Sequence, residues 1–257
     1  MEKGICLISV APIRNSADDR SEMVTQVLFG ELMEVIEKKK KWILVRLLND
    51  NYQGWISEGQ FSQLTDEQFY SLSKAEQWVS NDLVQILENK TRNFSFLITA
   101  GSTFYNCENN AFNLLGEDYI FHGNMHQLKG FNRELLVNNA LLFQHTPYLW
   151  GGKSVMGVDC SGFTQLVYKM SGNMILRDAS QQASQGEMIN LFHEALPGDL
   201  LFFDNEHEEI NHVGILLDTE NIIHAHQKVR IDKIDHQGIF NTDLKKYSHK
   251  LRLIKRM

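Results

Sequence analysis

Five residues, Asp159-Cys160-Ser161-Gly162-Phe163, constrain the fold of this chain more than any others, because of what flanks them. The turn-rich run Pro147-Tyr148-Leu149-Trp150-Gly151-Gly152 comes before. Thr164-Gln165-Leu166-Val167-Tyr168-Lys169-Met170-Ser171-Gly172 comes after, and predicts a helix closed by a glycine stop. Cys160 is thereby placed at a helix start, where backbone N–H groups lack partners and the macrodipole favours negative charge. Such a position lowers a thiol pKa. His212, within Asn211-His212-Val213-Gly214-Ile215, follows 52 residues later, and His224, within Ile223-His224-Ala225, twelve after that.

A nucleophilic thiol needs an imidazole to take its proton and a third group to orient the imidazole. Residues 212–217 and 221–225 predict a hairpin around Asp218-Thr219-Glu220, which brings His224 within reach of the strand carrying His212. His212 is then the base, and His224 fixes its tautomer and ring plane. His226 shares the face of His224 and is its rival. Taken singly, a cysteine at a helix start or a histidine on a strand is more often structural. Only the set of three points to thiol chemistry.

Length and composition bound the rest. At 257 residues the chain has room for two or three domains, and 43% hydrophobic with 22% charged residues is an ordinary globular balance. A net charge of −7 argues against a nucleic-acid partner. No run approaches the ~18 to 20 apolar residues of a membrane span. The N-terminus carries neither a basic nor a long apolar region, so a cytoplasmic location is expected unless a leader has been trimmed. Three cysteines without a CxxC spacing predict neither a disulfide framework nor a cysteine-based zinc site. Cys6 reads as a small buried hydrophobe, and Cys107 lies in a polar turn. The ten histidines are scattered and form no HExxH, so no catalytic metal and no other cofactor is expected. A monomer is expected.

Residues 1–64 read as short strands with turns, suggesting a small barrel. Residues 4–10 predict a strand and Ala11-Pro12-Ile13-Arg14-Asn15 a turn. Two strands around Gly30, then Trp42-Ile43-Leu44-Val45-Arg46-Leu47 and a strand from Asn51 follow, with Lys38-Lys39-Lys40-Lys41 as a solvated hairpin tip. Thr65 predicts a helix N-cap, with Gln68 completing a capping box. Residues 65–130 combine that helix with a second, degenerate barrel that includes Phe94-Ser95-Phe96-Leu97-Ile98 and residues 119–123. From residue 131 to 257, a helix over 132–143 (Leu135, Leu136, Leu141 and Leu142 at helical spacing) leads to the Cys160 helix. Strands over 199–203, 213–217, 221–225 and 228–231 come next. Helices first and antiparallel strands after give an α+β domain.

Together these pieces resemble the NlpC-type cysteine peptidases that cut bacterial cell-wall peptides. The matching residues are Tyr148-x-Trp150-Gly151-Gly152, Asp159-Cys160-Ser161-Gly162-Phe163, Arg177-Asp178-Ala179-Ser180-Gln181-Gln182, Leu196-Pro197-Gly198-Asp199-Leu200-Leu201-Phe202-Phe203, His212-Val213-Gly214-Ile215 and Ile223-His224-Ala225. The first half, with Gly54-Trp55-Ile56-x-Glu58, resembles bacterial SH3-like domains. The resemblance implies a papain-like catalytic domain behind two SH3-like barrels, similar to the dipeptidyl-peptidase VI branch. That branch is implied to cut the γ-D-glutamyl bond to a diamino acid in murein peptides with a free N-terminal L-Ala, in cell-wall peptide recycling.

By the same resemblance Cys160 is the nucleophile, His212 the base and His224 the third polar residue. A free substrate amine is recognised by carboxylates and an aromatic hydroxyl. Asp159 is a candidate for one carboxylate as well as for a helix N-cap. Ser161 and Tyr148 are candidates at the same substrate end, and Glu58 is the candidate for a second carboxylate from the first barrel. Tyr105 or Tyr119 is a candidate tyrosine from the second barrel. Arg177 and Asp178 read as structural, an ion pair or a turn cap. The backbone N–H of Cys160 is the leading oxyanion donor. The rival readings are a wall-binding module without catalysis, and a thiol amidase or acyltransferase acting on another amide.

Overall fold

Short runs of β-branched and aromatic residues become strands here because one face of each is buried: Trp42–Leu47 hides Trp42, Ile43, Val45 and Leu47. The computed structural model describes residues 2–257. It divides into two units, Met1–Lys129 with Trp150–Val155, and Gly130–Leu149 with Met156–Met257.

In the first unit a seven-stranded antiparallel sheet runs in the order Met23–Leu28, Val10–Arg14, Gln53–Ser57, Trp42–Leu47, Leu32–Lys39, Lys3–Ile5, Ser62–Leu64. Its core holds Ala11, Ile13, Val27, Met33, Val45 and Ile56, and Cys6 is buried among them as a small hydrophobe. The expectation of a turn at residues 11–15 is corrected: Val10–Arg14 is a strand. Pro12 is tolerated because the strand pairs along its length only with Met23–Leu28, meeting Gln53–Ser57 at Arg14 alone. The lysine run is a hairpin tip, with Lys40 at φ +55°.

The capping box forms as its residues predict. Thr65 Oγ1 accepts from Gln68 N–H at 3.1 Å and Gln68 Oε1 accepts from Thr65 N–H at 2.9 Å, opening the helix Asp66–Lys74. A four-stranded sheet (Phe94–Thr99, Val84–Asn89, Glu117–Phe121, Ala111–Leu114) and a three-stranded one (Thr103–Tyr105, Gln77–Ser80, Met125–Gln127) follow. Their core is aromatic, Phe104, Phe112, Tyr119 and Phe121 sharing one cluster with Phe29 and Phe69. The candidate roles of Tyr105 and Tyr119 are thereby corrected. Both are core aromatics, the Tyr105 hydroxyl donating to Gly30 O at 2.7 Å and that of Tyr119 to Glu117 at 3.2 Å.

The segment Trp150–Val155 is bound within this same unit. Trp150 Nε1 donates to Glu22 at 2.6 Å, and Lys153 Nζ lies 3.1 Å from Glu31 in an ion pair with both side chains buried. Gly151 has φ +73°, and a β-carbon there would stand 2.1 Å from Met23 O, so no other residue fits the motif at this place.

The second unit begins with the helix Arg133–Leu142, capped by Asn132 Oδ1 on Leu135 N–H at 3.0 Å. Its buried face is not the leucine stripe expected: Leu136, Asn139 and Ala140 are inside, while Leu141 and Leu142 are exposed. Asn139 is there because its amide donates to Met170 O at 3.2 Å and to Ser171 Oγ at 3.1 Å, at the end of the next helix. That helix, Cys160–Met170, is buried at every residue and closed by Gly172 at φ +88°. A barrel encloses the rest, in the order Lys246–Arg256, Leu200–Asp204, Ile210–Leu216, Asn221–His226, Lys228–Ile234, Gly238–Asn241, closing back on Lys246–Arg256. The last two of these strands carried no clear signal in the sequence.

Candidate active site

Cys160 opens its helix, and Asp159 is the N-cap, its Oδ1 accepting from Gly162 N–H at 2.6 Å. Arg177 grips the same carboxylate from two nitrogens, Nη1 to Oδ1 at 3.0 Å and Nη2 to Oδ2 at 2.7 Å, and reaches Ser161 Oγ at 2.9 Å. Both partners are buried. Gln182 is fully buried as well: its amide donates to Ser161 O at 3.0 Å and accepts from Thr164 Oγ1 at 2.8 Å. The Arg177-to-Gln182 motif therefore fastens the helix start that carries the thiol. Arg177 is structural, as its residue type predicts, and Gln181 Oε1 accepts from Asp178 N–H at 3.1 Å at the next helix start. Asp159 is seen as cap and ion-pair partner, and Ser161 as a member of the same network.

The hairpin forms in the expected register, with Gly214 opposite His224, Ile215 opposite Ile223 and Leu216 opposite Ile222. His212 and His224 then share a face, and the two rings meet: His212 Nε2 lies 2.8 Å from His224 Nδ1. His224 Nε2 lies 3.1 Å from Asp232 Oδ2, and Arg230 Nη2 donates to Asp232 Oδ1 at 2.8 Å. Asp232 sits on the neighbouring strand, where its pairing partner is Ile222. No motif in the sequence marked it. Its signal was the strand alternation of Lys228-Val229-Arg230-Ile231-Asp232, which puts Arg230 and Asp232 on one face with His224 opposite Arg230.

These bonds fix the protons. A carboxylate is an acceptor only, so His224 carries its proton on Nε2 and offers the Nδ1 lone pair. His212 must then donate through Nε2, which leaves its Nδ1 unprotonated. Asp232 is held below the usual carboxylate range: burial pushes it up, but hydrogen bonds from His224 and Arg230 outweigh that. Burial, followed by the neighbouring histidines, holds His212 well below 6.5, and burial also lowers His224 against the pull of Asp232. Both rings rest neutral at pH 7.

The thiol lies against this strand, since the N–H of Val213, next to His212, points to the Cys160 sulfur. The helix start acts as expected through Ser161 N–H, and Arg177 helps, but burial and then the charge of Asp159 outweigh them. The thiol is pushed up to about 12, so the net direction is opposite to that expected from the helix start alone. Tyr148 is half-buried, its N–H bonded to Gln227 O at 3.0 Å. Burial, then the charges of Cys160 and Asp159, raise its hydroxyl to about 12, so it stays a donor at neutral pH. The structure thus gathers Cys160, Asp159, Ser161, Tyr148, His212 and His224 in the second unit. Glu58 belongs to the first unit, exposed on the short turn Glu58–Gln60.

The histidines are less scattered than their sequence positions suggest. His249, on the unrecognised strand Lys246–Arg256, stacks on His212 with ring centroids 4.2 Å apart at 24°. His226, the rival for the orienting role, has its ring 6.5 Å from that of His212 and makes no hydrogen bond to it among those described. His224 is the ring that hydrogen-bonds to His212.

Residues 145–247 match the NlpC/P60 family, and residues 13–61 match the bacterial dipeptidyl-peptidase Sh3 domain. A γ-D-glutamyl-L-lysine dipeptidyl-peptidase of Bacillus subtilis is 30% identical over 78% of this chain and 71% of its own length. Dipeptidyl-peptidase 6 of Lysinibacillus sphaericus is 26% identical over 93% of this chain and 95% of its own. The crystal structure of an NlpC/P60 family protein from Bacillus cereus superposes with a TM-score of 0.82 at 20% identity, covering 99% of each chain. At that identity it speaks to the fold, a barrel-bearing α+β peptidase domain behind SH3-like barrels.

Proposed function

This chain belongs to the NlpC/P60 family of peptidoglycan cysteine peptidases, and from that premise we propose that it cuts the γ-D-glutamyl bond to a diamino acid in short murein peptides. The substrate carries a free N-terminal L-Ala, and the product is L-Ala-γ-D-Glu, as in recycling of wall fragments. The observation that carries the reading is the line of hydrogen bonds from His212 through His224 to Asp232, which leaves His212 Nδ1 unprotonated next to Val213, whose N–H points to the buried thiol.

In the proposed reaction His212 Nδ1 takes the Cys160 proton as the sulfur attacks the γ-carbonyl carbon. The imidazolium is stabilised through His224 by the Asp232 carboxylate. The C–N bond breaks as His212 returns the proton to the leaving amine, and the acyl group stays on sulfur as a thioester. His212 then deprotonates a water that releases it. The Cys160 N–H stabilises the oxyanion. A resting neutral pair suits a buried site, because charge appears only when substrate has displaced water.

Amine recognition is assigned to Asp159 and Tyr148 beside the thiol, with Ser161 on the same network. Asp159 shares its charge with Arg177, so the Tyr148 hydroxyl is needed beside it. The reading is supported by the Bacillus subtilis relative, a γ-D-glutamyl-L-lysine dipeptidyl-peptidase, and by dipeptidyl-peptidase 6 of Lysinibacillus sphaericus.

Mass spectrometry of L-Ala-γ-D-Glu-L-Lys and L-Ala-γ-D-Glu-meso-diaminopimelate tests it, beside N-acetylated copies and Cys160→Ala. Cleavage of the free peptides alone, lost in the variant, is expected. Equal cleavage of acetylated and free peptides removes the amine-binding roles of Asp159 and Tyr148. Cleavage that survives Cys160→Ala removes the thiol mechanism.

A further inference from the structure

We propose that His212, His224 and His249 form a binding site for a zinc-class divalent ion, and that its occupation switches the peptidase off reversibly. One ring nitrogen from each of the three lies within 4.8 Å of the others. Zinc–imidazole bonds of about 2.0–2.1 Å set ligand nitrogens of a tetrahedral site roughly 3.4 Å apart, so the site closes when the His249 ring, stacked on His212 at 24°, turns its nitrogen towards the other two.

The surroundings are those of a ligand set. Asp232 engages His224 Nε2 at 3.1 Å, leaving Nδ1 for the ion. Ser248 Oγ engages His249 Nδ1 at 2.9 Å, leaving Nε2. Backing of this kind fixes the ring and raises its basicity as a ligand.

Two independent observations point the same way. His226 Nδ1 is buried and has no hydrogen-bond partner among the described residues, and its ring lies 5.0 Å from that of His249. It lies beside the three-ring group, outside the set whose nitrogens all come within 4.8 Å of one another. An open groove of about 750 Å³ reaches His249, and Asp204, Glu206 and Glu208 line it. Carboxylates along a cleft raise the local concentration of cations.

Binding and catalysis exclude each other. His224 Nδ1 cannot hold both the His212 proton and the ion, so the 2.8 Å bond between the rings must open. The ion takes the base and its orienting group in one step, and a chelator restores both. The inhibition rests on the proposed role of His212, whereas the binding does not.

The rival is a site made by the Cys160 thiolate with His212. Titration calorimetry with Zn²⁺ on the full chain separates them, using Cys160→Ala, His249→Phe (which keeps a stacking ring) and His249→Gln (should the phenylalanine variant fail to fold). Expected is binding by Cys160→Ala within about threefold of the unaltered chain, and a loss of about tenfold or more in the His249 variants. Co²⁺ bound to the unaltered chain should lack the near-ultraviolet thiolate charge-transfer band. Zinc inhibition should weaken by the same factor in the His249 variants, measured against each variant's own activity. Loss of binding in Cys160→Ala with retention in the His249 variants would overturn the proposal, and so would no heat from the unaltered chain. Binding as expected without inhibition would instead remove the role given to His212.

Discussion

Gly214 stands directly across the hairpin from His224, and a β-carbon at Gly214 would lie 2.9 Å from the β-carbon of His224. The bare backbone at this one position lets the His224 ring sit where His212 can reach it. Ile222 closes on the same space from the other side, with Cδ1 at 2.8 Å.

Gly214→Ala should therefore part the rings before it unfolds the barrel. A displacement of about 1 Å in a catalytic group costs on the order of 100-fold in rate. The expected result is a kcat lowered at least tenfold with KM little changed and a folded circular dichroism spectrum. A variant with unaltered kcat would show that His224 does not orient the base.

Asp232→Asn removes the acceptor-only group that sets both tautomers. An amide offers donors where only a lone pair is wanted, so His224 loses its preference for a proton on Nε2. We expect kcat to fall by about 100-fold, within the range a positioned base contributes. The pH–rate profile carries the discrimination: its shape should change in Asp232→Asn. A merely structural role would lower thermal stability and leave the profile in place.

Arg177→Leu leaves the Asp159 carboxylate buried beside the thiol without its cation. Removing one partner of a buried pair costs about 3–5 kcal/mol. Urea unfolding should show a loss of that size, and Arg177→Lys should not repair it, because one ammonium cannot match two carboxylate oxygens at 3.0 and 2.7 Å. An Arg177→Leu protein of unaltered stability would mean that the helix start is held by Gln182 and the cap alone.

Stability should fall as the solution is acidified through the histidine range. Burial lowers His212, His224, His226 and His249, the last to about 3. Below their ordinary value of 6.5 the unfolded chain binds protons that the folded chain does not, so unfolding gains as pH drops. The loss begins near pH 6.5 and continues towards the lowered values. Thermal melts from pH 7.5 to 5 check this, and His249→Phe should flatten the slope. A melting temperature constant over that interval would show that these rings take up protons in the fold as readily as in the unfolded chain.

Much of this site was legible before any fold was known, and the reasons are local. Asp159, Cys160 and Gly172 bracket a helix by capping chemistry. His212 and His224 share a face through a three-residue turn and a period of two. What stayed hidden depends on long-range closure. His249 reaches the site because the last strand, Lys246–Arg256, returns to pair with Leu200–Asp204 and with Gly238–Asn241, whereas Asp232 comes from the adjacent hairpin strand, where no motif marks it. That strand reads Lys-Tyr-Ser-His-Lys-Leu-Arg-Leu-Ile-Lys-Arg, too polar to announce a strand. The thiol misled in another way. The helix start argues for a low pKa, but burial enters only when the whole unit is assembled, and burial is the larger effect.

The fastening of Trp150–Val155 also bears on how such chains diversify. The backbone crosses between the two units three times. A recombination event at the first crossing, near residue 130, would transplant a peptidase whose own motif still contains Lys153. Its ammonium would arrive in a foreign unit without Glu31 to meet it. Exchange of the N-terminal unit therefore demands a coordinated change at two places in the gene, so inheritance should treat the two units as one cassette.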